Sequence, residues 1–128
     1  MEGIVIVAHG SRVPESKNVY EEIAKKVRNK INAEVEIGYM THLKPTPVEA
    51  INSLVERGFK KIVVIPLFIS PGIHVIEDIP NLIGISDEEK LKLPGDVEIY
   101  YERNIGDDDR LVEILVDRAK EGLNALKR

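Results

Sequence analysis

Three histidines, His9, His42 and His74, are the side chains of this 128-residue sequence that are best suited to metal or proton chemistry. Cysteine is absent, which excludes disulfides, zinc–thiolate sites, iron–sulfur clusters and thiol nucleophiles. A divalent transition metal would therefore have to be bound by imidazole and carboxylate groups. Imidazole also exchanges protons near neutral pH, so the same histidines are candidates for a general base.

Two of the histidines adjoin loops that are suited to binding an anion. His9 is followed by Gly10-Ser11-Arg12, and His74 is preceded by Ile69-Ser70-Pro71-Gly72-Ile73. Such corners present free backbone N–H groups, and the first adds a hydroxyl and a cation. The alternative is that these glycines and prolines only shape turns. Neither loop matches a dinucleotide-binding or P-loop fingerprint.

Charged residues near the histidines have two interpretations each. Glu77 and Asp78 follow His74 by three and four positions, so on a helix either carboxylate could orient the imidazole or relay protons. Acidic residues are also favoured in the first turn of any helix. Lys44 could pair with a carboxylate on a ligand, although exposed lysines are common.

Four apolar runs predict the strands that carry these loops. The first run is wholly apolar, and the first and third are the most apolar of the four, which is typical of central parallel strands. The second alternates with polar residues and is expected to be a more exposed edge strand. The runs are Ile4 to Ala8, Val35 to Tyr39, Lys61 to Phe68 and Val97 to Tyr101. The polar stretch from Ser86 to Asp96 is interpreted as an insertion.

Helical periodicity separates the strands. The first helix is expected from about Pro14 to Asn32, and a short one near Val75 to Ile83. Thr46, Pro47 and Glu49 form a capping-box signature for another helix. The last helix begins in the acidic turn after Gly106, and its apolar face comprises Leu111, Leu115, Val116, Ala119 and Leu123.

Strands alternating with helices predict an α/β fold in one domain, residues 1–128. We expect a flavodoxin-like, four-stranded parallel sheet of order 2-1-3-4 with helices on both faces. Ligands bind such sheets in the crevice between the first and third strands, at their carboxyl ends. His9 and His74 should therefore face one crevice. His42, near the end of the second strand, is a weaker candidate for contacting the ligand.

The composition argues against some partners. The chain has 22 acidic and 18 basic residues, a net charge of −4, which disfavours nonspecific binding to nucleic acid. Its longest apolar run, Ile62 to Ile69, is too short to span a membrane, and no signal-peptide pattern precedes the first strand. We expect a cytoplasmic protein that has neither nucleic acid nor membrane as partner.

Three segments together resemble the small archaeal sirohydrochlorin chelatases, of the class II chelatase family. The first runs from Val7 through His9 to Arg12, the second from Pro66 to His74, and the third from Glu77 to Pro80. The resemblance covers essentially the whole chain. It implies insertion of Co²⁺ into sirohydrochlorin for anaerobic cobalamin biosynthesis, or of Ni²⁺ towards the methanogenic nickel tetrapyrrole. The metal would be a substrate, and no tightly bound cofactor is expected.

The resemblance also implies roles for individual residues. His9 matches a metal ligand that accepts a proton, and His74 matches the second metal ligand. The loop Ile69 to His74 and Lys44 match positions that contact the tetrapyrrole. Longer relatives carry two such halves in one chain, so a single half is expected to form a homodimer with the active site at the interface.

The chain departs from the family pattern in two respects, and three alternative functions stay open. Some relatives have an acid in place of Lys44, and some have a histidine-rich insertion where this chain has Gly84 to Pro94. Histidine phosphatases also place His-Gly after their first strand, but Arg precedes that histidine, and here Ala8 does. A metal or tetrapyrrole carrier could use the same two histidines without catalysis. Nickel could be preferred over cobalt.

Overall fold

A five-stranded mixed sheet, in the order β2-β1-β3-β5-β4, forms the centre of the computed structural model. The model describes residues 2–85 and 90–128. Strands β2, β1, β3 and β5 run parallel to one another, and β4 pairs antiparallel with β5 at one edge. The strands are β1 (Glu2–Ala8), β2 (Glu34–Tyr39), β3 (Lys61–Pro66), β4 (Lys90–Leu93) and β5 (Val97–Tyr101).

The predicted α/β class and the order of the parallel strands are confirmed, but the count of four strands and the purely parallel sheet are wrong. The additional strand, β4, lies within the stretch interpreted as an insertion. Leu91 and Leu93 alternate with lysines and pack against the core. Gly95 and Asp96, both at positive φ, then turn the chain into β5. Residues 86–89 of that stretch lie outside the described residues.

The helices agree with the predicted positions. They are α1 (Glu15–Ile31), α2 (Pro47–Glu56), α3 (Ile79–Ile83) and α4 (Asp109–Leu126), and a π-helical turn (His74–Asp78) leads directly into α3. The capping box at the start of α2 is confirmed, because Thr46 and Glu49 each bond the backbone N–H of the other. No helix among the described residues is long and apolar enough to cross a membrane.

Strand β1 is buried on both faces of the sheet. Val5 and Val7 belong to the larger core cluster, beneath α2 and α3, whereas Ile6 and Ala8 belong to the smaller one, beneath α1. Their burial fixes the direction in which β1 delivers the chain to His9.

The second strand and α2 approach unusually closely. A Cβ atom placed on Gly38 would lie 2.6 Å from the Cα of Pro47, so only glycine permits this contact. The close approach confines the connection between β2 and α2 to a tight loop at the carboxyl end of the sheet. That loop contains His42 and Lys44.

Helix α4 does not pack as its sequence pattern suggests. None of its residues is buried, even on its apolar stripe. Leu115 and Leu123, which belong to that stripe, are 60% and 59% exposed. On the face of the sheet that α1 covers near β1 and β2, Val63 and Ile65 of β3 stay only half-buried. The chain therefore exposes both an apolar helix face and part of an apolar sheet face.

Candidate functional site

A cavity of about 720 Å³ opens at the carboxyl ends of the parallel strands. It lies where the loops after β1, β2 and β3 meet, the position at which this topology places ligand sites. All three histidines of the chain contribute to its wall. The lining residues are His9, Met40, Thr41, His42, His74, Asp78, Asn81 and Leu82.

Two of these histidines lie next to each other. The ring centroids of His9 and His74 are 5.0 Å apart, with their planes at 52°. His9 immediately follows β1 and is exposed, whereas His74 begins the π-helical turn and has Phe68 at 5.9 Å, ring to ring. Two imidazoles at this separation can bind one divalent ion, and neutral imidazole suits Co²⁺, Ni²⁺ and Zn²⁺.

Of the two acidic residues after His74, the structure places Asp78 in the cavity wall. Its Oδ2 atom lies 2.9 Å from Nδ1 of His74, whereas Glu77 is exposed and does not line the cavity. The contact is not aligned as a hydrogen bond, and Nδ1 has no other partner among the described residues. A carboxylate beside Nδ1 favours the tautomer with its proton there, which leaves Nε2 free to bind a metal.

The two histidines do not form a complete metal cage. Within residues 2–85 and 90–128, no group of three or more histidine, aspartate or glutamate side chains is arranged to hold an ion. A metal bound by His9 and His74 would therefore keep open coordination positions for water or a substrate.

The residues directly after His9 stabilise the backbone of the loop and do not line the cavity. Gly10 has a φ of +100°, and a Cβ atom on it would lie 1.8 Å from the carbonyl oxygen of Thr41. Ser11 accepts a hydrogen bond at 3.0 Å from the backbone N–H of Val13. Arg12 is exposed, and neither Ser11 nor Arg12 lines the cavity.

The predicted macrocycle-contacting positions are exposed in the loops that follow β2 and β3. Ile69 and Ile73 are 61% and 58% exposed, and Ser70, Pro71 and Gly72 between them are also exposed. The side chain of Lys44 is 82% exposed, and its Nζ lies 3.9 Å from Glu49. None of these residues lines the cavity.

Two other segments hold the second histidine and its loop. The carbonyl of Ile69 accepts hydrogen bonds from the side chain of Asn104 and the backbone N–H of Gly106, each at 2.8 Å. The hydroxyl of Tyr101 donates to the carbonyl of Val75 at 2.8 Å, which ties the π-helical turn to β5. Burial raises the pKa of Tyr101 to about 12.

The cavity wall also contains four residues that were not predicted from the sequence: Met40, Thr41, Asn81 and Leu82. The positions of Met40 and Thr41 could have been predicted from the strand order, because residues directly after β2 lie beside those directly after its parallel neighbour β1. Asn81 and Leu82 lie on α3, and their side-chain directions depend on the preceding π-helical turn.

Comparison with known proteins decides the family. The CbiX family model matches residues 3–122. The chain belongs to the CbiX family. Its relatives include the sirohydrochlorin cobaltochelatase of Methanocaldococcus jannaschii, 40% identical over 140 residues, which cover 93% of this chain and 98% of that protein. The sirohydrochlorin cobaltochelatase of Saccharolobus islandicus is 40% identical over 126 residues, covering 97% of this chain and 98% of that protein.

Solved structures of CbiX-type proteins share the fold. A putative cobalamin biosynthesis CbiX protein from Marinobacter aquaeolei has a TM-score of 0.72 and 25% identity, and the match covers 98% of this chain and 99% of that one. The sirohydrochlorin chelatase SirB from Bacillus subtilis subspecies spizizenii, in complex with cobalt, has a TM-score of 0.81 and 26% identity. The match covers 94% of this chain but 50% of SirB, so this CbiX chain corresponds to half of that protein.

Replacing Tyr101 with phenylalanine should lower the free energy of unfolding by about 1 kcal/mol at pH 7, because the hydrogen bond to Val75 is lost. The change should also weaken the alkaline instability of the protein. The pKa of Tyr101 is about 12 in the folded chain and about 10 in an unfolded one. The stability that the neutral hydroxyl of Tyr101 contributes to the folded state is therefore lost as pH rises between these values. Burial also raises the pKa of Tyr39 to about 12, so Tyr39 contributes a pH dependence of the same sign in both proteins.

Urea denaturation at about pH 7, 10 and 11.5, below and within the interval between the unfolded and folded pKa values of Tyr101, measures both effects. Tyr20→Phe, which removes a hydroxyl from α1 far from the π-helical turn, is the control. Equal pH dependence in wild type and Tyr101→Phe would contradict the prediction.

Proposed function

We propose that this chain is a sirohydrochlorin cobaltochelatase, which inserts Co²⁺ into the sirohydrochlorin macrocycle with release of two pyrrole protons. The observation that carries the proposal is the pair of imidazoles, 5.0 Å apart, in the crevice of a CbiX-family chain. Relatives that match this chain over almost their whole length are sirohydrochlorin cobaltochelatases.

His9 and His74 are the proposed metal ligands. Nitrogen ligands bind Co²⁺ firmly enough to position it, and the four nitrogens of the macrocycle can compete for it. The incomplete ligand set supports such a transfer, because a closed cage would retain the ion. Open coordination positions let the pyrrole nitrogens bind before the imidazoles leave.

Proton removal is the second requirement of insertion. His9 is the proposed proton acceptor, since it is exposed at the cavity wall and a neutral imidazole is a competent base near pH 7. Asp78 is the proposed relay and positioning residue, because its carboxylate lies 2.9 Å from His74, whereas Glu77 does not line the cavity.

The exposed loops after β1, β2 and β3 are proposed to contact the edge of the macrocycle, which carries several carboxylates. Gly10, Ser11, Arg12 and Lys44 supply N–H groups, a hydroxyl and cations on one side. On the other side, the exposed loop from Ile69 to Ile73 presents apolar side chains to the ring face.

Replacing His9 or His74 with alanine should reduce the rate of Co²⁺ insertion by about 10²-fold or more, since each variant loses a metal ligand and the first also loses the base. The measurement is anaerobic insertion into sirohydrochlorin, followed by absorbance, against the uncatalysed reaction and with Ni²⁺ in parallel. Full activity in both variants would overturn the assignment. Stoichiometric binding without acceleration would instead identify a metal or tetrapyrrole carrier. Faster insertion of Ni²⁺ would identify a nickelochelatase.

Asp78→Asn and Glu77→Gln form a matched pair that separates the two acidic residues. Asp78→Asn should lower kcat by about tenfold, because an amide no longer fixes the His74 tautomer. Glu77→Gln should retain wild-type kcat, because Glu77 does not line the cavity. The shift of the Co²⁺ visible spectrum on binding reports the geometry at His74 directly. Equal effects of the two substitutions would argue against a role for Asp78.

We further propose that the chain acts as a homodimer whose active site lies at the interface. Helix α4 buries none of its residues, and Val63 and Ile65 on the sheet stay half-buried. An apolar helix face and an apolar sheet face on one chain are complementary, so two copies can cover both by exchanging α4. The correspondence of this chain to half of SirB supports a partner of the same fold.

Replacing Val116 and Leu123 together with aspartate should dissociate the dimer, because the change places two charges in the apolar stripe of α4. Asn124→Asp, which adds a charge near the opposite side of the helix, is the control and should leave the dimer intact. Light scattering during size-exclusion chromatography distinguishes the 14.4 kDa protomer from a particle of twice that mass. A wild-type protein that elutes as a monomer at micromolar concentration would contradict the proposal.

A further inference from the structure

The loop after β2 contains a strained histidine. The backbone N–H of Leu43 donates to the carbonyl of Thr41 at 2.8 Å, and His42 between them has a φ of +65°. A hydrogen bond across three residues with a positive central φ defines the rare form of γ-turn, which is strained for any residue with a side chain. Glycine would adopt this conformation at lower cost.

This turn is held rigidly against the loop that carries the first histidine of the proposed metal pair. The backbone N–H groups of Met40 and Thr41 donate to the carbonyls of Ala8 and His9, each at 2.9 Å. Gly10 lies so close to the carbonyl of Thr41 that no side chain would fit between them. The backbone of His42 is therefore held at a fixed position relative to His9.

No contact among the described residues accounts for a histidine at this position. The imidazole of His42 is exposed and, within the described residues, has no hydrogen bond or ion pair, yet it lines the cavity with His9 and His74. Strained residues of this kind are concentrated at sites where a ligand uses them. Within residues 2–85 and 90–128, His42 does not complete a three-ligand group with His9 and His74, which favours a ligand other than the metal of the histidine pair.

We infer that His42 is a substrate-positioning residue, whose imidazole N–H donates a hydrogen bond to a carboxylate on the edge of the macrocycle. The inference rests on the proposed function, which supplies a substrate with carboxylates around its edge. The rigid γ-turn then fixes the rotation of the macrocycle above His9 and His74. A hydrogen bond to a charged carboxylate is stronger than one to a neutral group.

His42→Gly tests the inference because it removes the imidazole and relieves the strain at once. The KM for sirohydrochlorin should rise about tenfold, as expected for a lost hydrogen bond to a charged group. The affinity for Co²⁺, titrated without macrocycle, should stay unchanged, and the thermal midpoint should stay equal or rise. Asn32→Gly is the matched control, since Asn32 at the end of α1 also has a positive φ, 54°, but lies outside the cavity. It should change the thermal midpoint alone.

An unchanged KM in His42→Gly would show that the turn has no role in substrate binding, and a loss of Co²⁺ affinity would make His42 a metal ligand. Either result overturns the inference. Failure of the proposed function is a separate outcome, seen as a wild-type protein that does not accelerate insertion. In that case, equilibrium binding of sirohydrochlorin to wild type and His42→Gly, followed by the absorbance of the macrocycle, still decides whether His42 contacts it.

Discussion

The pairing of β1 between β2 and β3 is the constraint on which the site depends. Both neighbours run parallel to β1, so three consecutive strand ends meet at one edge of the sheet. The side chains of β1 are buried on both faces, which prevents the strand from slipping by one residue without exposing its core. Residues distant in sequence, His9, His42 and His74, reach the same cavity wall for this reason.

Much of this architecture could be predicted from the sequence, because parallel strands have a strong apolar signal and their order follows from burial. The fifth strand was missed because Lys90 to Leu93 is short and half polar, and such alternation is equally compatible with a loop. The packing of α4 could not be predicted for a different reason. An apolar stripe has the same pattern whether it covers its own sheet or a second copy.

The site was predictable where it depends on topology and unpredictable where it depends on local backbone shape. Strand order alone places His9 and His74 in one crevice. The choice between Glu77 and Asp78 needs the π-helical turn, whose wider winding changes which following residue lies beside His74. The positive φ of His42 occurs directly after Thr41, whose backbone packs against Gly10, and no local sequence pattern contains that contact between loops.

The contact between Gly10 and the carbonyl of Thr41 has a consequence for the behaviour of the site on heating. It joins backbone to backbone, so the spacing between the loops after β1 and β2 does not depend on the rotamer of a side chain at this contact. Warming broadens the rotamer populations of side chains well before it separates paired strands. The spacing between the loops should therefore persist up to the temperature at which β1 and β2 part, and the crevice and the sheet would melt as one cooperative unit.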